Sequence, residues 1–368
     1  EIYSNQIAPA FRKLYDFLVK TYIPNCRETI GMSNLPNGKE WYRWKAAHHT
    51  TTLMQPEQIF DLGMKEVTRI TSEMDSVRTV SGFAGDLAAY FDFLRHDKQF
   101  FFTDSARLVD AYREIVTTAL TGLPKLFLKL PHTPIEVLPI PLYAAPSSTT
   151  AYYENGSARM NRPGVYRVNT YDLASRPKWE MQPLSLHEAV PGHHLQISFT
   201  DEMTGIPELR KYIEMTAFTE GWALYAESLG SELGFYTTPA DKMGQLSYEM
   251  WRAIRLVVDV GIHSKNWTRD QAIEFFTKNS PKSKHDIEVE IDRYIADPGQ
   301  ALAYKIGERK IEELREYANE QLAEKFDIRA FHDKLLSFGS LPISLLDREM
   351  KRWILAVRGY REVVGTKK

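Results

Sequence analysis

The sequence predicts a mostly α-helical protein with a small β-sheet set just before its chemically richest helix. Apolar residues recur at three- and four-residue spacing through the N-terminal third and again from residue 206 onward. Residues 131–183 instead carry prolines, Ser/Thr pairs, aromatics and two strand-like runs. Residue 184 then opens an apolar helical stretch that holds three of the ten histidines.

The elements follow in order. Residues 8–22 place Phe11, Leu14, Leu18 and Tyr22 on one stripe, predicting an amphipathic helix. Residues 31–38 read as a turn-rich break ending in Pro36-Asn37-Gly38. Residues 56–74 predict a helix with Pro56 in its first turn and a face of Ile59, Leu62, Met64, Val67 and Ile70. Residues 105–120 repeat the pattern, with Ser105 as the expected N-cap. Strands are expected at 135–142 and 164–171, the latter rich in β-branched and aromatic residues. Helices are expected at 209–230, 242–263, 268–279, 286–296, 300–325 and 327–338, with Leu341-Pro342 as a stop. The chain reads as one catalytic unit: a helical part (1–130), a sheet-and-loop part (131–183) and a helical part around the histidines (184–368).

Composition narrows the function classes. Forty-six basic and 48 acidic residues give a net charge of −2, without the basic, aromatic-studded run of a nucleic-acid binder. The single cysteine, Cys26, excludes an intramolecular disulfide and a cysteine zinc cluster. No apolar run approaches the ~20 residues of a membrane span. The start at Glu1, without Met, reads as a processed or truncated end. Oligomeric state leaves no signature.

The segment His187-Glu188-Ala189-Val190-Pro191-Gly192-His193-His194 carries the chemistry. Catalytic zinc is held by His and carboxylate groups, with a position open for water. The usual helical zinc motif puts its second histidine four residues after the first. Here that position is Pro191, and the next histidines lie six and seven residues on. On a straight helix the seventh residue lies ~10 Å along the axis, too far to share a metal. Pro191-Gly192 offers a remedy, because proline breaks the helical ladder and glycine tolerates unusual dihedrals. A bulge there is expected to return His193 or His194 opposite His187, with Glu188 beside it as general base. A third ligand is expected from the helical run Thr219-Glu220-Gly221-Trp222-Ala223-Leu224-Tyr225-Ala226-Glu227. Glu220 and Glu227 share one face amid apolar neighbours, where carboxylates are seldom buried unless paired or ligating.

The histidine segment through Gln196 and the run 219–227 resemble the bacterial DUF885 family, which is grouped with gluzincin-like metallopeptidases. Leu35-Pro36-Asn37-Gly38, residues 255–263 and residues 298–307 agree, so the resemblance spans nearly the whole chain. It implies a large helical zincin-like metallopeptidase fold with Zn2+ as cofactor and a peptide as substrate. It points to Glu220 as the ligand, since the downstream glutamate there precedes a small residue, here Gly221. Glu227 is then left to orient a ligand histidine. It leaves the second histidine open: the Gly-His order favours His193, and the spacing to Gln196 favours His194. Family members are often longer at the N-terminus, which makes this chain the C-terminal portion of a longer protein. Family habit implies the cell envelope or periplasm; composition fits the cytoplasm equally.

The mechanism so implied uses Glu188 as proton acceptor and donor. Tyr304, the remaining histidine or His263 supplies a hydrogen bond to the developing oxyanion. In this superfamily an edge strand pairs with extended substrate, here the strand 164–171 that carries Tyr166. Arg255 or Arg293 is a candidate fork for a peptide carboxylate. Two competing readings keep the scaffold: a metal-dependent hydrolase of non-peptide amides or esters, and an inactive peptide-binding protein.

Overall fold

The structure is a computed structural model, and it describes residues 1–359. The N-terminal part comprises α1 (Ala8–Phe17), α2 (Gly38–Thr50), α3 (Pro56–Val80), α4 (Leu87–His96) and α5 (Ser105–Gly122). Three short strands follow: β1 (Ile135–Pro139), β2 (Ala151–Glu154) and β3 (Gly164–Val168). Next come α6 (Met181–Glu188), α7 (His193–Asp201), α8 (Leu209–Tyr212), α9 (Thr216–Ser228) and α10 (Gly230–Leu233). The chain continues through α11 (Pro239–Lys265), α12 (Arg269–Asn279), α13 (Lys284–Ala296), α14 (Ala303–Leu322), α15 (Ile328–Leu336) and α16 (Ile343–Arg358). The mostly helical class with a small sheet is therefore as the sequence predicts.

Local chemistry explains most helix starts. Pro56 opens α3 behind a capping box between Gln55 and Gln58, and Thr268 with Gln271 does the same for α12. The cap of α5 is Asp104, not Ser105: its carboxylate accepts from the N–H groups of Ala106 and Arg107, and a charged acceptor there also complements the helix dipole. Several expectations need correction. The helix over 209–230 is broken, because residues 213–215 leave helical geometry between α8 and α9. Helices α2, α4 and α16 and strand β2 were not foreseen. The N-terminal helix forms, but its stripe is not buried: Phe11, Leu14 and Tyr22 are exposed.

The sheet order is β1-β3-β2, with β1 parallel and β2 antiparallel to β3. This places β3 in the centre with both its edges taken. The strand expected to receive an extended substrate therefore cannot; β2 is an edge strand instead, and it lies against α6.

Two helix crossings set the frame. Helix α11 packs along α3 where Gly63 brings the backbones close; a Cβ there meets Leu256 Cβ at 2.7 Å. Helix α9 packs on α14 where Gly221 faces Gly307. Trp222, Leu186, Phe218 and Tyr225 fill the core between α6, α9 and α14. His263 sits in a separate buried network, where Nδ1 accepts the Met32 N–H and Nε2 donates to the Tyr294 carbonyl. Both ring nitrogens are committed, so His263 is a packing residue rather than an oxyanion donor.

His332 is a second buried imidazole, bonded to the Tyr225 hydroxyl and the Leu126 carbonyl. Burial pushes it down to about 3, whereas the unfolded chain protonates it near ~6.5. Between those values the unfolded state holds the extra proton, so stability is full above ~6.5 and falls as pH drops. The expected contribution is roughly 1.4 kcal/mol lost per pH unit. Thermal melts of wild type and His332→Phe between pH 7 and 4 check it: the variant, though less stable, should show the shallower acid slope.

Candidate metal centre

The centre is built where α6 ends. Ala189 leaves helical geometry (φ −98°, ψ −105°), as does Gly192 (φ −76°, ψ −130°). The sequence anticipated a bulge within one helix; the chain instead makes two helices joined by residues 189–192. Glycine is required at 192 because a Cβ there would lie 1.9 Å from the His187 carbonyl oxygen. Trp222 Nε1 donates to the Pro191 carbonyl at 2.8 Å and anchors the turn to α9.

This turn swings His193 back over His187. Their rings lie 4.8 Å apart and nearly perpendicular, at 87°. Glu220 reaches in from α9, and its Oε2 lies 3.5 Å from His187 Nε2 and 3.5 Å from His193 Nε2. One ligand-type atom from each of the three residues falls within 4.8 Å of the others. Glu220 Oε2 is buried and has no hydrogen-bond partner among the described residues. A tetrahedral ion with bonds of ~2.0–2.2 Å holds its ligand atoms ~3.3–3.6 Å apart. The two 3.5 Å separations fit that requirement.

The next layer of residues orients these groups. His187 Nδ1 is bonded to Glu227 Oε1 at 2.8 Å, which turns Nε2 toward Glu220. Arg252 Nη2 forms an ion pair with the same Glu227 oxygen at 3.1 Å, and Tyr236 fixes the Glu227 backbone carbonyl. Glu227 thus takes the orienting position and Glu220 the converging one. Burial lowers the His187 imidazole, but the Glu220 and Glu227 carboxylates outweigh it and push it up to about 9. Burial raises the Glu220 carboxyl, yet the two imidazoles hold it well below the usual range. Glu188 ends α6 directly after His187; burial pushes its carboxyl up, opposed by both histidines.

Other candidates fall elsewhere. His194 turns to the sheet side: Nδ1 accepts from the Tyr153 hydroxyl at 2.9 Å and Nε2 donates to the Thr133 carbonyl at 3.1 Å. Both its nitrogens are engaged, and burial lowers it to about 4, so it ties α7 to β2 and does not join His187 and Glu220. Tyr304 stays near the centre: the Glu220 charge helps burial raise its hydroxyl, and the Arg255 guanidinium lies 4.2 Å from its ring centroid. Arg255 and Arg293 each donate one bond to Glu290, at 3.1 and 3.2 Å, so both are already paired with a buried carboxylate. Tyr166, on β3, is fully buried, 3.4 Å from the Ser185 hydroxyl, and presents no surface to a substrate. Arg252 and Tyr153 were missed. Arg252 stands three residues before Arg255 in the same apolar run, and a cation there was the available signal.

A mostly helical protein with a partly buried His-His-Glu cluster at a broken helix is thus the class that fold and site define. The chain matches the model of the family described as "Bacterial protein of unknown function (DUF885)" over residues 1–350, and it belongs to that family. A solved protein from Colwellia psychrerythraea, described as a "putative lipoprotein", is similar at 32% identity and a TM-score of 0.92, covering 95% of this chain and 61% of that one. A second, from Shewanella oneidensis and described as a "putative lipoprotein of unknown function", shares the fold at 21% identity and a TM-score of 0.76 over 95% of this chain and 65% of that one. The chain therefore spans less than two thirds of either neighbour. No curated protein matches the sequence. No described helix is long and apolar enough to cross a membrane.

Proposed function

We propose that this chain is a gluzincin-like, zinc-dependent hydrolase that cleaves peptide bonds. The observation that carries the reading is the convergence of His187, His193 and Glu220, with Glu220 Oε2 3.5 Å from both histidine Nε2 atoms and Glu188 next to His187 in the chain. When bound, zinc supplies Lewis-acid activation of a water and of the substrate carbonyl. Glu188 would take a proton from the attacking water and return it to the leaving amine nitrogen. Its raised affinity for protons, through burial, suits both halves of that exchange. Tyr304, whose hydroxyl feels the Glu220 charge, would donate a hydrogen bond to the developing oxyanion. The peptide class is supported by β2, an edge strand beside α6 whose outer side offers main-chain groups to an extended chain. The neighbours' descriptions as lipoproteins support a place in the cell envelope.

The test is zinc content of protein purified without chelators, together with cleavage of a mixed peptide library read by mass spectrometry. About one zinc per chain and cleavage that a chelator abolishes are expected. Metal-free protein that takes up no added zinc would refute the metal. Cleavage of amide or ester probes but no peptide would refute the substrate class. A further expectation concerns Glu227. Glu227→Gln removes the charge that fixes the His187 tautomer, and zinc affinity should fall about 10- to 100-fold in a competitive chelator titration.

A further inference from the structure

A cavity of about 810 Å3 opens between the end of α4, the turn that leads into α6, and helices α12 and α13. Its volume is that of a pocket for one small organic ligand. None of His187, Glu188, His193 or Glu220 lines it, so it is separate from the metal centre.

Polar bonds tie the walls together. Arg95 donates to the carbonyls of Ser280 and Pro281, both at 3.0 Å, which joins α4 to the turn between α12 and α13. Trp179 Nε1 donates to the Leu94 carbonyl at 3.2 Å, and Lys178 Nζ to the Gln99 carbonyl at 2.8 Å. Lys282 Nζ donates to Glu180 Oε2 at 2.8 Å. The segments around the cavity are thus held in place, while Phe101, Phe102 and Ile273 line it and stay only partly buried. Apolar surface left in this state gains from covering an apolar ligand.

The charge of the lining is one-sided. Arg95, Lys98, Lys282 and Lys284 stand against Glu180 and Asp286, an excess of two positive charges. Glu180 is already engaged by Lys282 and by the Tyr248 hydroxyl. Lys98 and Lys284 are exposed, so their charges are open to a ligand. Apolar walls with a cationic rim complement an apolar body that ends in one negative charge. We infer that this cavity is a binding site for a free carboxylate of the fatty-acid class, its chain against Phe101, Phe102 and Ile273 and its head at Lys98 and Lys284. The inference goes beyond the hydrolase reading and does not depend on it.

The experiment is a calorimetric titration of the whole chain with dodecanoate, below the concentration at which it forms micelles. Binding at a single site is expected. Decanoate, two methylenes shorter, should bind roughly tenfold more weakly, as loss of that much buried chain requires. Acetate, the head alone, should show no binding. Dodecyltrimethylammonium, the same chain with a cationic head, should bind at least about tenfold more weakly, because like charge then meets the rim. Two variants locate the site. Thr277→Trp, at an exposed position of α12 that lines the cavity, fills it. Lys98→Glu combined with Lys284→Glu reverses the exposed charges. Each should weaken dodecanoate at least about tenfold, with ligand-free melting temperatures close to wild type as the check on folding. Ala174→Trp, also exposed and lining the cavity, takes the place of Thr277→Trp if that variant melts early. No dodecanoate binding by wild type, equal binding of the ammonium, or full affinity in either folded variant overturns the inference.

Discussion

Replacing Glu188 with Gln is expected to leave zinc bound and to lower kcat/KM on a cleaved peptide by about 10²- to 10⁴-fold. Glu188 follows His187 at the end of α6 but is not among the three groups whose ligand atoms converge. Glutamine keeps its size and hydrogen-bonding reach while losing the ability to accept and return a proton. Metal content and turnover measured on the same preparation separate the two roles. Full turnover with zinc in place removes Glu188 as the base, and loss of zinc reassigns it to the ligand set.

The second large effect is expected far from any reacting atom. Gly307→Ala places a Cβ 1.8 Å from the Ala217 carbonyl oxygen and 2.8 Å from the Gly221 Cα. Both obstacles are backbone, so α9 and α14 must separate rather than repack a side chain. Overpacking of this kind costs about 1–3 kcal/mol, and a backbone clash belongs at the upper end. Because Glu220 precedes Gly221, the displacement also moves the carboxylate that meets His187 and His193. Chemical denaturation of metal-free protein should show lost stability, and zinc titration should show weaker binding. Unchanged stability would mean that the crossing is looser than its geometry.

The legibility of the site in the sequence followed how local each feature was. His187, Glu188 and the Pro191-Gly192 break stand within a few residues of one another, so spacing alone exposed the conflict with a straight helix and its remedy. Choosing between His193 and His194 was beyond spacing, because it depends on what each ring meets. His194 is held by Tyr153 and Thr133, 41 and 61 residues away. The arginines misled for the same reason: the partner of Arg255, Glu290, lies 35 residues on. Strand β3 was read correctly as a strand, but whether a strand is central or edge is a property of its neighbours. Its neighbour β2 lies in the stretch read only as Pro-, Ser/Thr- and aromatic-rich, where Tyr152-Tyr153 follows Thr149-Thr150. Helix α2 escaped because tryptophan, tyrosine and histidine residues blur its apolar stripe; Trp41 and Trp44 are exposed while Tyr42 and Ala46 are buried.

The most direct measurement is an anomalous difference map at the zinc edge from crystals of chelator-free protein. The account predicts a single strong peak about 2.0–2.2 Å from His187 Nε2, His193 Nε2 and a Glu220 oxygen, with His194 still bonded to Tyr153. No peak there after zinc is added, or a peak held by other side chains, contradicts it.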